Sequence, residues 1–364
     1  MSAWPQNVLM AARHPDPYPY YRSLAEKGWH YDEALGIWLA ASHRAVGAVL
    51  DSPVCRVRPS GQSVPPAIDG SVLGQAFGGW LRMSEGAAHA GLRRAVRDSL
   101  AALSLSEVEG VAAELAARFL SEGELSGCRI DGLIDLLPVA ALAAALGWPA
   151  ARLSAVGEGI ALLCRALAAD ADDAAREQGA AACWALLDEL ASLPVNGWLR
   201  RWREAFVDLD EAALAANLLG ALFQSRDAGA GLLSAGIAWR CEGPWDWRDA
   251  GEWKRRLRVD PALHHTRRFV AEDVELAGQR LKAGDQVLVL LAAAAHDPAG
   301  PAEALDFGRG RHACPGEGLA LAIACGALDA LEASRPDWRA LGGGIVFQGP
   351  PNIRMRRFGA GESK

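Results

Sequence analysis

Apolar residues recur at helical spacing through most of the chain. From Leu103 to Gly123 (LSLSEVEGVAAELAARFLSEG), Ser106 and Glu109 stand at capping-box spacing. Val108, Val111, Leu115 and Phe119 then share one face, which predicts an amphipathic helix. Leu136 to Leu146 is apolar throughout and reads as a buried helix with Pro138 in its first turn, where a missing N–H costs little. Asp210 to Trp239 is a long Ala/Leu-rich helix, and Gly316 to Ala333 is another that follows a glycine-rich loop. Strand patterns are fewer. Val274 to Val289 alternates around Gly278 and a Gly284-Asp285 turn, which predicts a hairpin, and Ile37 to Ala40 is a short strand. Segments 61–69 and 241–249 read as loops. The prediction is a mainly α chain with small β sheets.

Composition narrows the class. Of the 364 residues, 51% are hydrophobic and 22% charged, which suits a globular chain with a large core. The net charge of −7 argues against nucleic acid or an anionic membrane as partner. No apolar run approaches the ~20 residues of a membrane span. The first residues lack a basic stretch followed by an apolar core, so no signal peptide is expected. The seven cysteines are odd in number and contain no CxxC pair, which argues against a disulfide framework or a zinc ribbon and for a reducing cytoplasm.

One cysteine stands apart. The segment from Asp306 to Gly318, DFGRGRHACPGEG, packs Phe307, Gly308, Gly310, His312, Cys314 and Gly316 into ten residues. Glycines allow a tight turn and close approach to a flat ligand. A cysteine just before a helix start meets free N–H groups that favour a thiolate, with Pro315 fitting the first turn. Random occurrence of F-G-x-G-x-x-x-C-x-G is expected on the order of once in 10⁴ chains of this composition. A structural cysteine in a glycine-rich loop is the plain alternative.

The spacing of Phe307, Gly310, Cys314 and Gly316 resembles the haem-binding signature F-x-x-G-x-x-x-C-x-G of the cytochromes P450. The resemblance runs from about His14 to Ala333 and is most specific at the cysteine. It implies a single domain over residues 1–364 with the P450 fold, a triangular prism with haem b (iron protoporphyrin IX) buried between two long helices. Cys314 would be the axial ligand, a thiolate that pushes electron density onto the iron. The segment from Arg82 to Val96 resembles the start of the family's helix C, so His89 and Arg93 would meet the haem propionates. The stretch from Thr266 to Pro298 resembles the sheet segment after helix K, so Arg268 would bind a propionate, with His312 as a further donor.

Three departures accompany the resemblance. Loops at 240–250 and 298–306 are short for the family. The helix K Glu-x-x-Arg pair is ambiguous: Glu252 and Arg255 match literally, but the distance to Asp260-Pro261 favours Arg258, which sets Arg255 in the acid's place. On the long helix Asp227 matches the family's acid, while Ala228 stands where a threonine hydroxyl normally orders water. Gln224, an ordered water or the substrate would then deliver protons. Asp227 is alternatively a solvated residue or a partner of Arg226.

The resemblance implies a soluble monomeric monooxygenase acting on a small or medium-sized organic molecule, bound near Gln224 and Trp80, in specialised-metabolite biosynthesis. Electrons would come from ferredoxin and ferredoxin reductase, with Lys254, Arg255, Arg256, Arg309 and Arg311 as a basic docking face; the alternative for these arginines is that they are surface charges and propionate partners. The alternatives are a peroxide-driven or non-oxygenating haem enzyme (coupling, ring formation, dehydration) and a non-catalytic haem-binding homologue.

Overall fold

In the computed structural model, the described residues are 4–194, 197–206, 210–301 and 303–360. The first third runs α1 (Tyr18–Lys27), β1 (Trp29–Asp32), β2 (Ile37–Ala40), α2 (His43–Asp51), β3 (Cys55–Arg56), α3 (Val72–Gly79), α4 (Gly86–Leu100) and α5 (Leu105–Ser121). The central part is helical: α6 (Gly127–Leu146), α7 (Leu153–Ala166), α8 (Asp173–Ser192), α9 (Gly197–Ala205), α10 (Glu211–Glu242) and α11 (Ala250–Val259). Next come β4 (Thr266–Val270), β5 (Val274–Leu276), β6 (Gln279–Leu281), β7 (Gln286–Val289) and α12 (Leu291–Ala295). The chain closes with α13 (Glu317–Ser334), α14 (Trp338–Gly342), β8 (Val346–Phe347) and β9 (Arg356–Arg357).

Helix predominates, as the apolar spacing predicts, but several boundaries differ. Ser104 caps α5 by accepting from the Glu107 N–H at 3.3 Å, two residues ahead of the expected cap. Its buried face is Val108, Ala112, Ala116 and Leu120, whereas Val111, Leu115 and Phe119 are half-buried. The reason is close packing: α5 lies against α13, where a Cβ at Gly326 would collide with the Glu109 carbonyl oxygen, so the small-residue face is the one that fits. The apolar run 136–146 is the second half of α6, which Ser126 caps upstream. Pro138 is therefore mid-helix, where it costs a hydrogen bond. It packs under Gly229 of α10, where a side chain would reach within 2.7 Å of the proline Cβ.

The expected hairpin is half right. β5 and β6 pair through Ala277 and Gly278, both at positive φ. β7 turns away at Gly284 and enters a five-stranded sheet of order β1-β2-β7-β4-β3, antiparallel except for the β2–β7 pair. β2 is the strand the alternation at Ile37–Ala40 predicts. The sheet has its own apolar cluster, while one large core runs through the helices around α10.

The link between α10 and α11 is short, and tryptophans seal it. Trp239, Trp245 and Trp253 meet edge to face, with centroids 4.9–5.7 Å apart. At the far end of α11, Asp260 accepts from Trp239 Nε1 at 3.1 Å and Arg354 Nε at 3.1 Å, and also from Tyr18 and Arg356. Asp306, which opens the cysteine segment, accepts from the N–H groups of Ala262 and Leu263 at 2.6 and 3.2 Å. Asp306 thus ties the corner between α11 and β4 to the loop that carries Cys314, while Asp260 ties it to α1, α10 and the C-terminal segment at β9.

Candidate active site

Backbone geometry makes the cysteine loop. The Gly308 N–H donates to Leu305 O at 2.9 Å and the Cys314 N–H to Phe307 O at 2.7 Å. Gly308 and Gly310 have φ of +68° and +67°, a region L side chains rarely adopt, so glycine is required at both. Phe307 is packed against the main core. Gly316 is the N-cap of α13, and its N–H approaches the Cys314 sulfur as a hydrogen-bond donor. Pro315 lies before the cap, outside the first turn where the sequence put it.

Cys314 carries accessible surface, yet burial raises its thiol pKa. Accessible surface with restricted hydration describes an internal hollow. Arg82 shows the same combination. Along α10 a run of unburied positions from Phe223 to Gly229, with Ala228 exposed, interrupts an otherwise buried helix. For the thiol, the Gly316 N–H, Arg82 and Arg93 oppose the upward shift, and Glu317 adds to it. The helix end alone therefore does not hold a thiolate, contrary to the expectation from sequence, because burial outweighs one N–H and two cations. A bound cation at the sulfur would reverse that balance.

Cations gather around the hollow. Arg93 Nη1 donates to Ala313 O, beside the cysteine, at 2.8 Å. The His89 and His312 rings meet at a tilt of 53°, with centroids 4.4 Å apart. His312 Nε2 lies 3.4 Å from Glu85, and His89 Nε2 is buried with no hydrogen-bond partner. Burial first, and then His312, push the His89 pKa down to about 4, so it is neutral. Arg268 donates to Arg267 O at 2.8 Å and Thr266 Oγ1 at 3.2 Å. Its pKa falls to about 10 through burial and through Arg82 and Arg311. Burial would raise the pKa of Glu85, but His312, the Val57 N–H and Arg311 hold it at about 2.

The structure therefore brings His89, Arg93, Arg268 and His312 together around Cys314. It adds Arg82 and Glu85, which the sequence alone did not place there. The signal for Arg82 and Glu85 was their position at the head of the segment containing His89. Of the two readings of Arg311, an outer docking face and a place beside the carboxylates of the cofactor, its contacts favour the second: it turns inward, donating to Ser52 O at 2.6 Å and Cys55 O at 2.8 Å, beside Glu85. Arg309 pairs with Asp51 at 2.8 Å, while Arg255 and Arg256 pair with Glu252, so these side chains are engaged locally. Lys254 is exposed.

The literal Glu252–Arg255 match forms an ion pair within α11. Arg258 Nε is buried and unpartnered, and Asp260 is the acid that gathers distant cations.

On α10, Asp227 pairs with Arg226 at 2.5 Å, the plainer of its two readings. Arg226 also hydrogen-bonds Cys164, whose pKa is pushed up to about 12 by burial and by Asp227. Gln224 donates to Gly220 O of its own helix at 3.2 Å. Trp80, expected beside the substrate, is fully buried and packs on Phe223 at 4.6 Å. Among the described residues no two cysteines are joined by a disulfide, and no helix is long and apolar enough to cross a membrane.

The residues present fit an iron porphyrin. A soft sulfur ligand faces the hollow, an orphaned buried imidazole nitrogen awaits a partner, and the arginines Arg82, Arg93, Arg268 and Arg311 outnumber the carboxylates Glu85 and Glu317. Such a surplus of buried cation suits a ligand bearing carboxylates.

No family model matches the sequence. Protein DesVIII of Streptomyces venezuelae is 28% identical over 305 residues, 81% of this chain and 69% of that protein. Putative cytochrome P450 140 of Mycobacterium tuberculosis is 38% identical over 101 residues, 24% of this chain and 23% of that protein. The solved structure of the cytochrome P450epoK bound to epothilone B superposes with a TM-score of 0.76 at 21% identity, over 95% of this chain and 97% of that one. With the five-stranded sheet, the long central helix and the cysteine loop in place, the chain has the fold of the cytochromes P450, the superfamily its cysteine loop resembles.

Proposed function

We propose that this chain binds haem b with Cys314 as axial ligand and oxidises a small or medium-sized organic molecule, in specialised-metabolite biosynthesis in the cytoplasm. The observation that carries the reading is the convergence of Arg93, Arg268, His89 and His312 on the hollow that exposes the Cys314 sulfur. Bound there, haem would supply two-electron oxidation chemistry. The Gly316 N–H and Arg93 steady the sulfur, Arg268 would neutralise the carboxylates, and the uncharged His89–His312 pair would orient them through ring N–H groups. The non-polar Ala228 leaves room for substrate beside α10. P450epoK, similar in fold, holds epothilone B, which supports an organic molecule of that general class as ligand.

A second reading is favoured by one observation: the polar side chains at the open stretch of α10 are engaged within the helix itself, Ser225 donating to Leu222 O at 2.8 Å. Asp227 is held by Arg226, Gln224 by its own helix, and Ala228 has no hydroxyl. Dioxygen-driven oxidation needs protons delivered during turnover, whereas hydrogen peroxide brings its own and a dehydration or coupling needs fewer. Peroxide is therefore the alternative oxidant to ferredoxin and ferredoxin reductase.

The core claim is tested by the ferrous carbon monoxide spectrum. The purified holo-protein should show the red-shifted Soret band of thiolate ligation, and Cys314→Ser should abolish it. Retention of the band in the serine variant sinks the assignment. Turnover of one substrate panel with peroxide alone, against reductase and ferredoxin, separates the two readings.

A further inference from the structure

Arg82 lies in the short turn Leu81–Met83 between Trp80 and α4. That turn is pinned to α10: Asn217 Oδ1 accepts from the Leu81 N–H at 2.7 Å, and Asn217 Nδ2 donates to Gly79 O at 2.9 Å. Trp80 is locked against Gly220 and Phe223. The backbone on either side is therefore fixed, and the Arg82 side chain keeps accessible surface while lying close enough to Cys314 and Arg268 to act on both. Among the described residues no hydrogen bond or ion pair reaches it. Every other arginine around the hollow has a partner: Arg93 has Ala313 O, Arg268 has Arg267 O, and Arg311 has Ser52 O, Cys55 O and Glu85.

Its electrostatic neighbours make the omission costly. Arg82 is the strongest-acting cation on Arg268, and it also acts on the Cys314 thiol. Glu85, three residues on, is already taken by Arg311, His312 and the Val57 N–H. Two guanidinium groups that repel each other where hydration is restricted, with Glu85 already engaged, are unfavourable unless an anion from outside the chain completes them. The arginine fork is suited to holding such a carboxylate by two parallel bonds.

We propose that Arg82 is a carboxylate-binding residue of the Cys314 hollow, closing together with Arg268 on one propionate of the haem. This rests on the haem-binding reading above. It assigns a binding role to a residue that sits outside the histidine–arginine pair of α4.

The test compares two cofactors in the holo-protein: haem, and haem dimethyl ester, whose propionates carry no charge. The readout is the rate of cofactor loss to an excess of a haem scavenger. Arg82→Gln should speed the loss of haem about ten- to a hundred-fold, as expected for one charge-assisted pair. It should leave the loss of the dimethyl ester unchanged, which also shows that the variant is folded. Arg82→Lys keeps the charge without the fork and should fall between the two. Equal effects on both cofactors, or no effect on haem, overturn the proposal while leaving Cys314 ligation standing. A wild-type protein that takes up no haem with a thiolate spectrum overturns both.

Discussion

Replacing Asp260 by asparagine tests the corner that joins α11 to the site. Asp260 is the shared anion for Arg354 and Arg356, whose side chains are each 3% exposed. Asparagine keeps a similar shape and can still accept from Trp239 or Tyr18, so the change removes charge rather than volume. Arg354 retains acceptors in the carbonyls of His14 at 2.7 Å and Pro15 at 2.8 Å, and it lies over the Phe347 ring at 3.7 Å. Arg356 retains only Arg354 O at 3.2 Å and is the group left most exposed to the loss. Removing one partner of a buried pair costs about 3–5 kcal/mol. The pH dependence is fixed by the same contacts. Burial would raise the Asp260 pKa, but Arg356, Arg354, Tyr18 and Trp239 hold it at about 2, below the ordinary 3.8. A depressed carboxylate pKa gives stability that is present above pH 3.8 and lost as pH falls through about 2. That is roughly 2 kcal/mol across the window, at about 1.4 kcal/mol per unit. Urea unfolding followed by tryptophan fluorescence should therefore show Asp260→Asn well below wild type at pH 7, with the gap narrowing as both are titrated toward pH 2. A gap under about 1 kcal/mol at pH 7, or one that does not change with pH, would refute the reasoning.

Other outcomes follow from named contacts. Asp306 behaves in the opposite sense: burial, partly offset by the Leu263 and Ala262 N–H groups, raises its pKa to about 7. Its contribution is full below the ordinary carboxylate pKa and lost as pH rises through about 7, so Asp306→Asn should flatten the stability profile between pH 4 and 7; an unchanged slope in that range speaks against it. Gly326→Ala should lower the unfolding midpoint by about 1–3 kcal/mol equivalent by forcing α5 and α13 apart, whereas Gly91→Ala, whose Cβ meets nothing within 4 Å, should be neutral or mildly stabilising. Ala228→Thr places a hydroxyl at the open stretch of α10. If proton delivery limits the reaction, it should raise reductase-driven turnover relative to peroxide-driven turnover, and an unchanged ratio removes that explanation.

The sequence was most legible where chemistry is local. The cysteine loop depends on glycines whose left-handed backbone leaves a spacing that can be read directly, and α10 begins one residue after the Asp210 cap. Long-range partners were not legible. Whether α5 turns Val111 or Ala112 inward depends on Gly326, more than two hundred residues away, and helical periodicity admits either face. Arg311 reads as a surface charge until β3 places the Ser52 and Cys55 carbonyls beside it. Arg82 was missed for a related reason. Its significance lies in the absence of a partner, which only the folded chain reveals.

The corner around Asp260 also orders events in time. Arg13 donates to Gly349 O at 2.9 Å, and Arg354 grips the carbonyls of Ala12, His14 and Pro15, contacts that span 336 to 342 residues of sequence. During synthesis the segment around residues 12–15 leaves the ribosome long before Arg354 exists. It must wait, undocked, until nearly the whole chain has been made, and chain-long contacts of this kind slow folding. A nascent chain halted before residue 349 should therefore leave that segment open to proteases, even with the central helices already packed. Its protection would mark the moment at which the fold closes.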